Sequence, residues 1–434
     1  MWNEMNASHR RTTDRSPIRS LRFGRSLLLM LLLASLSSVM GCNEIGASRD
    51  GDASNGEPSP ALLSRAESGE VEAQLAVGLF YRNAASASET SKRARDESEA
   101  LRWFTLAADQ GLATAQFELG LMLVTAEGVN QNFVEGRRWL SRAGEAGHAP
   151  ALFMLGDLSK RGDGGPPNPV MAVALWHRAA ELGHSGAFHR LGQAHEEGLG
   201  VDPDVESAIG FYREASLLGY MISQYRLAVI YDEGLLMPRD ASEAVRFYRL
   251  AGEQSYAPAQ AQLGYLYARG DGVIQRYDEA LRWSRMAAEQ GNADGCNNLA
   301  VLYLKGLGVE QSFDDALRWY RLAAQHQHPG AQNMLGTLYL TGQGVDVDPN
   351  EAEHWWRMAA EQGYASAQYN LGGMYSRKIS TSLLREEALD WLGRAAEQGH
   401  TSAARELAEV QAMVATTTAQ KVEDAAIESA QTTL

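Results

Sequence analysis

Apolar and small side chains recur along this chain at the spacing of an amphipathic helix. The segment Tyr256–Gly291, YAPAQAQLGYLYARGDGVIQRYDEALRWSRMAAEQG, shows the pattern twice. Its first half places Ala259 and Leu263 on one helix face, and its second half does the same with Ala280 and Trp283. Glycines separate the halves and permit the left-handed backbone in which many helices end. The pattern predicts two helices joined by a tight turn.

This helical pair returns nine times with a period of 36 residues. A hairpin has apolar side chains on both of its faces, and only neighbouring hairpins can cover them. We therefore predict an all-α fold, an α/α solenoid of nine helix-turn-helix repeats with a half-repeat cap at each end. The residue before each new copy keeps the period without a slip: Gly111, Gly147, Gly183, Gly219, Ser255, Gly291, Gln327, Gly363 and Gly399.

One aromatic position marks the second helix of almost every copy. A ring there is predicted to fill the wedge between hairpins, while small residues such as Gly264 let neighbouring helices approach closely. We expect Trp319→Ala to cost about 3–5 kcal/mol, the range for loss of a core aromatic. Leu175 interrupts the series, and Trp176 follows it. The series is Trp103, Trp139, Phe211, Phe247, Trp283, Trp319, Trp355 and Trp391.

Turn and cap residues fall where helical hairpins need them. Gly270–Val273 joins the two halves of its copy, and similar glycine-rich stretches join other copies. Asp278, Asp314 and Asp348 are predicted to cap a second helix or to lie in its first turn. The segment Asp346–Asn350 faintly resembles a calcium loop, but it lacks the glycine and the terminal glutamate of one. A capping turn is the favoured interpretation.

The repeated signature resembles a known family. Ala-x-x-x-Leu-Gly-x-x-Tyr-x-x-Gly-x-Gly-Val, followed by Ala-x-x-Trp-x-x-x-Ala-Ala-x-x-Gly, resembles the Sel1-like repeat, a relative of the tetratricopeptide repeat. The resemblance covers about Glu70–Gly399 and implies an α/α right-handed superhelix with adaptor roles in protein complexes. Gly234–Pro238 and Lys378–Ser380 depart from the glycine turn, so distorted turns are expected there.

The first 41 residues have the features of a bacterial signal peptide. Arginines precede the apolar run Leu27–Met40, which is short for a membrane span but suits a signal-peptide core. Val39-Met40-Gly41-Cys42 resembles a lipobox, and this implies a lipid on Cys42 after cleavage. The alternative is an ordinary secreted protein with an incidental cysteine. We expect an exported protein of the periplasm or cell surface, held to a bacterial membrane by this lipid alone.

The remaining segments frame the repeats. Residues 42–59 are predicted to be a flexible linker, because Gly, Ser, Asp and Pro dominate them. Residues 60–69 are predicted to form an N-terminal half-repeat cap, 70–399 the array, and 400–413 a C-terminal capping helix. The low-complexity tail, 414–434, is expected to fray or to form a weak helix around 422–430. The first copy is longer than the others, and its extra residues are predicted to form a polar loop around Ser86–Asp96.

Composition and motifs argue against catalysis and nucleic-acid binding. The net charge of −15 repels phosphate. The two cysteines, Cys42 and Cys296, cannot build a disulfide framework or a zinc cluster, and Cys296 is predicted to be a buried or half-buried free thiol. The nucleophile elbow, the zinc-protease motif and the P-loop are missing from the sequence. No cofactor or metal is predicted. Four histidines share the first position of their copies, which favours a structural role over metal binding: His148, His184, His328 and His400.

Two rows of side chains on the first helices form the candidate site. The signature leaves them without a packing role, and they share one helix face. By resemblance to tetratricopeptide arrays, this face lines a concave groove that binds a protein partner. The alternative is that several of the rings only pack between hairpins. The predicted partner-binding residues are Phe117, Leu121, Phe153, Asp157, His189, Gln193, Tyr225, Tyr265, Asn297, Asn333 and Tyr369.

The favoured function is a non-catalytic scaffold of the bacterial cell envelope that binds protein partners in this groove. The alternative is a secreted recognition protein or hydrolase that acts on glycan or peptidoglycan through the same groove. A bound cell-wall fragment would favour the alternative.

Overall fold

A computed structural model describes residues 57–87, 90–127, 130–377 and 382–432. Every regular element in these ranges is an α-helix and none is a strand, which confirms the predicted all-α class. The predicted signal peptide, Cys42 and most of the linker lie outside the described residues. None of the described helices has the length and apolar character needed to cross a membrane.

The chain divides into two compact units, with the boundary between Arg239 and Asp240. The fifth repeat is split by this boundary, so that its first helix belongs to the N-terminal unit and its second helix to the C-terminal unit. The helices of the N-terminal unit are α1 (Pro60–Glu67), α2 (Val71–Ala87), α3 (Thr90–Asp109), α4 (Ala113–Thr125), α5 (Phe133–Glu145), α6 (Ala149–Arg161), α7 (Pro169–Glu181), α8 (Ser185–Glu197), α9 (Val205–Leu217) and α10 (Met221–Glu233).

The C-terminal unit begins with the second helix of the fifth repeat and ends with a long helix. Its helices are α11 (Ala241–Glu253), α12 (Ala257–Arg269), α13 (Tyr277–Glu289), α14 (Ala293–Lys305), α15 (Phe313–Gln325), α16 (Pro329–Thr341), α17 (Pro349–Glu361), α18 (Ala365–Arg377), α19 (Ser382–Glu397) and α20 (Thr401–Thr432).

Within each unit the two helices of a repeat pack on each other, and the second helix packs on the first helix of the next repeat. The turn in between depends on glycine. Gly270 ends α12 with φ 71° and Gly272 has φ 70°. A Cβ on Gly272 would clash with the backbone of Ala241, so the turn also approaches the preceding second helix closely. Asp348 caps α17 by accepting from the backbone N–H of Asn350 at 2.9 Å, which confirms the capping turn.

In three copies the fully buried ring of the second helix lies one residue after the position of the aromatic series, whereas Trp103, Phe247 and Trp283 are buried at the series position itself. Trp176, Tyr212 and Tyr320 are fully buried, whereas Trp319 is only half-buried. The expectation that Trp319 is the core aromatic of its repeat is therefore wrong. A Cβ on Gly192 would lie 2.6 Å from the ring of Tyr212, so the small residue of the first helix makes room for this next position. Trp176 occupies that position, which explains why Leu175 could interrupt the series.

Polar links recur between neighbouring hairpins. The Gln260 side chain donates to the carbonyl of Gly252, eight residues earlier, at 2.9 Å. Cys296 occupies the corresponding position one repeat later, is fully buried, and places Sγ 3.8 Å from the carbonyl of Ala288. The predicted buried free thiol is thus confirmed. Burial raises the pKa of Cys296 to about 11, which keeps the thiol protonated at neutral pH.

One expectation about the ends of the array was wrong. The polar loop predicted around Ser86–Asp96 is mostly helix, because α2 runs to Ala87 and α3 begins at Thr90. Ala, Glu, Lys and Arg among the added residues favour a helix, and the Arg93–Glu97 ion pair at 2.8 Å joins successive turns of α3. At the other end, the residues of the predicted cap and tail lie in one continuous helix, α20, which includes the helix expected around 422–430.

Candidate functional site

All eleven predicted partner-binding residues lie on first helices, as their spacing indicated. They are less accessible than the sequence suggested, because the hairpins pack around them more closely than the repeat signature shows. Five are buried: Phe117, Leu121, His189, Asn297 and Asn333. Six are half-buried: Phe153, Asp157, Gln193, Tyr225, Tyr265 and Tyr369. Partner binding by these residues stays a prediction, and the half-buried six offer most of its area.

Ring stacking between neighbouring repeats explains much of this burial. The Phe153 ring stacks on His184, the first residue of the following copy, with centroids 4.5 Å apart and an interplanar angle of 22°. Phe117 meets His148 at 4.7 Å, and Tyr369 stacks on His400 at 4.6 Å. These three rings therefore do pack between hairpins, as the alternative interpretation expected. Such a ring can still present its outer edge to a partner where it is half-buried.

Three of the four first-position histidines, His184, His328 and His400, also cap the helices that they precede. Nδ1 of His184 accepts the backbone N–H of Ala187 at 3.2 Å, and Nδ1 of His328 accepts that of Ala331 at 3.0 Å. Only a neutral imidazole can accept in this way, since both ring nitrogens of the cation are donors. Desolvation lowers the pKa of His184 to about 4, so the ring is neutral near pH 7. These contacts give the histidines the structural role that their phase predicted.

Charged side chains link the first helices of the N-terminal unit. Asp157 accepts two hydrogen bonds from the Arg190 guanidinium, both at 3.0 Å. The same guanidinium donates to Gln193 at 3.0 Å and lies over the Phe153 ring at 5.9 Å from its centroid. This bidentate pair holds three predicted site residues, Phe153, Asp157 and Gln193, in one arrangement. The face is consequently a mixed surface of half-buried rings and paired charges.

A cleft opens between α16 and α18 in the C-terminal unit. Its volume is about 360 Å³. Asn333 holds two of its lining residues in place, because its Oδ1 accepts from the side-chain amide of Asn370 at 2.9 Å and its backbone carbonyl accepts from the Trp356 indole N–H at 3.0 Å. We call this feature the 337–377 cleft. It is lined by Thr337, Leu340, Pro349, Trp356, Tyr369, Asn370, Gly373, Met374 and Arg377.

Repeat spacing predicted Tyr369 but not the residues at the rim of the cleft. Leu340 lies three residues after Thr337, and Arg377 lies four residues after Gly373. Thr337 and Gly373 lie four residues after the predicted site residues Asn333 and Tyr369, so following the same helix faces towards their C-terminal ends would have found both rim residues. Trp356 gave no such signal, because it comes from a second helix and reaches the cleft only through packing.

Among the described residues, no three or more His, Cys, Asp or Glu side chains lie close enough together to hold a metal ion. The chemistry that the first helices offer is recognition through stacking rings, amides and paired charges.

Comparison with known proteins matches these repeats one by one. The Sel1 repeat family model matches residues 71–112, 113–148, 149–184, 187–220, 222–256, 257–292, 293–328, 329–364 and 365–400. These matches cover well over half of the chain and coincide with the nine hairpins. A comparison with curated proteins gave no significant match.

Solved structures include two similar proteins. The protective antigen c5321 of uropathogenic Escherichia coli, which displays an SLR fold, is 32% identical, with a TM-score of 0.68 over 80% of this chain and 73% of that one. A Sel1 repeat protein from Oxalobacter formigenes is also 32% identical, with a TM-score of 0.55 over 71% of this chain and 90% of that one. The protein therefore belongs to the Sel1 repeat family, whose helical-hairpin fold generally mediates protein–protein interaction.

Proposed function

We propose that this protein is a lipid-anchored, non-catalytic scaffold of the bacterial cell envelope that binds protein partners along its first helices. The half-buried rings and charges on those helices carry the proposal. Phe153, Asp157 and Gln193 combine an aromatic surface with hydrogen-bonding groups that are already held in place. Partly exposed aromatic side chains in fixed positions contribute strongly to protein interfaces.

Photo-crosslinking in cells tests partner binding. We expect p-benzoylphenylalanine at Gln193 of α8 or Tyr265 of α12 to capture specific proteins, because both positions are half-buried on first helices. The matched controls are Glu214 of α9 and Glu253 of α11, which are exposed on second helices and should capture few or none. Mass spectrometry identifies the products. Equal capture from both sets of positions would contradict the proposal, and capture of glycan instead of protein would support cell-wall recognition.

Acylation at Cys42 tests the membrane anchor. We expect the protein to incorporate an alkyne-labelled fatty acid and to have a mature N-terminus at Cys42, because the lipobox resemblance places the modified thiol there. Cys42→Ser should abolish the label. Cys296→Ser is the matched control and should keep it, because Cys296 is buried within the repeats. A wild-type chain that is unlabelled, or cleaved at another site, would rule out the anchor.

A further inference from the structure

The 337–377 cleft combines apolar walls with one cationic side chain, Arg377, at its rim. Leu340 is 36% exposed at its rim, and Met374 and Trp356 line its wall. Arg377 is exposed at the C-terminal end of α18, and within the described ranges its guanidinium has no ion pair. Acidic residues outnumber basic ones in this chain, with 54 Asp and Glu against 39 Lys and Arg. The lack of a carboxylate partner for Arg377 among the described residues is therefore not due to a shortage of acidic side chains.

The walls of the cleft are held in place before any ligand arrives. Asn333 anchors both Asn370 and Trp356 through hydrogen bonds of 2.9 and 3.0 Å. The Tyr369 ring is stacked on His400 at the start of α20. A ligand that enters has few side chains to order, and this lowers the entropic cost of binding.

The size and charge of the cleft define what fits it. A volume of about 360 Å³ lies at the lower end of the range for ligand clefts, roughly 300–1,000 Å³. The apolar walls favour one large apolar side chain, and Arg377 favours an anion beside it. A carboxylate suits a single guanidinium, which can bind it with two parallel hydrogen bonds. A phosphate is disfavoured, because it carries more charge and the protein has a net charge of −15.

We propose that the 337–377 cleft binds an extended segment of a protein partner in which a large apolar residue is adjacent to Asp or Glu. The apolar side chain enters between Leu340 and Met374, and the carboxylate pairs with Arg377. This proposal rests on the scaffold function and adds the chemistry by which one part of the scaffold selects its partner.

A peptide selection tests this specificity directly. Random twelve-residue peptides displayed on phage are selected on the full chain in mild detergent, with counter-selection on Thr337→Trp, which fills the cleft. We expect the enriched peptides to share an apolar–acidic pair. Arg377→Glu should weaken synthetic versions by about tenfold or more, because the charged hydrogen bond is replaced by repulsion. Exchanging the peptide's acidic residue for Lys should restore binding to Arg377→Glu.

A control variant and two contrary outcomes decide the result of this experiment. Arg405→Glu changes an equally charged, exposed side chain on α20 that does not line the cleft, and it should leave peptide affinity unchanged. The proposal is overturned if selected peptides contain no acidic residue, or if Arg377→Glu and Arg405→Glu have equal effects. If Gln193 and Tyr265 still capture proteins in cells in that case, only the cleft proposal falls. If these positions capture no protein, the scaffold function fails.

Discussion

Tyr320→Ala is expected to reduce the free energy of unfolding of the C-terminal unit by about 3–5 kcal/mol, the range for removing a core aromatic. Tyr320 is fully buried in a cluster with Leu299, Ala300 and Leu335, so truncation leaves a cavity between three helices. Trp319→Ala should cost less, about 1–2 kcal/mol. Trp319 is half-buried, and it lines an open cleft of about 510 Å³, so it removes less apolar area from water.

Hydrogen exchange of α14, α15 and α16 measures both variants. Repeat arrays can unfold in segments, and a local probe therefore reports the relevant stability better than a global melting curve. Tyr320→Phe is the control for volume. The Tyr320 hydroxyl has no hydrogen-bond partner within the described residues, so its removal should leave stability unchanged or raise it by up to about 1–2 kcal/mol. A Trp319→Ala loss as large as that of Tyr320→Ala would show that the packing is misassigned.

Acidification from pH 6.5 towards pH 4 is expected to destabilise the N-terminal unit selectively. Desolvation lowers the pKa of His148 and of His184 to about 4 and that of His189 to about 3. An unfolded histidine titrates near pH 6.5. Below that pH the unfolded chain binds protons that the folded chain excludes, so stability is lost as pH falls towards the folded pKa values. Each histidine that stays neutral contributes a slope of about 1.4 kcal/mol per pH unit, as an upper estimate.

The structure explains why these rings resist protonation. The His189 ring contacts the rings of Tyr212 and Tyr220, its Nδ1 is 2.9 Å from the Ser223 hydroxyl, and the nearby Arg190 guanidinium adds to the effect of burial. Glu118 acts in the opposite direction, because burial raises its pKa despite the nearby Arg82, and its protonation then opposes acid unfolding. The net slope is therefore expected to be smaller than the sum over the three histidines.

Residues at the same position in other repeats suggest substitutions that remove the titrating imidazole and keep the fold. Tyr stands at the first position of other copies, so His148→Tyr keeps a ring against Phe117. Asn292 caps α14 by accepting from the N–H of Gly295 at 2.8 Å, so His184→Asn keeps a cap. The double variant should flatten the dependence of α4–α8 hydrogen exchange on pH between 6.5 and 5. An unchanged slope in the double variant would assign the acid sensitivity to other groups.

The candidate site was predictable in its placement and not in its exposure. The period placed all eleven residues on first helices, because a fixed repeat gives each copy the same helical phase. The signature could not show that His148 and His184 cover the rings of Phe117 and Phe153, because that contact joins residues of consecutive copies. The 337–377 cleft likewise draws Trp356 from a second helix, and only packing brings it to the first-helix face.

The sequence by itself determined the local structure of each repeat. Helical spacing, turn glycines and capping residues act over a few positions, so nine hairpins and most of their boundaries could be read from a 36-residue unit. Only the tertiary structure decided which of two adjacent large residues is buried. Trp319 and Tyr320 point about 100° apart on their helix, and burial of either one is consistent with an amphipathic helix. Tyr320 is the one that packs fully into the buried cluster with the small residue Ala300 of the neighbouring first helix, while Trp319 packs at the edge of that cluster.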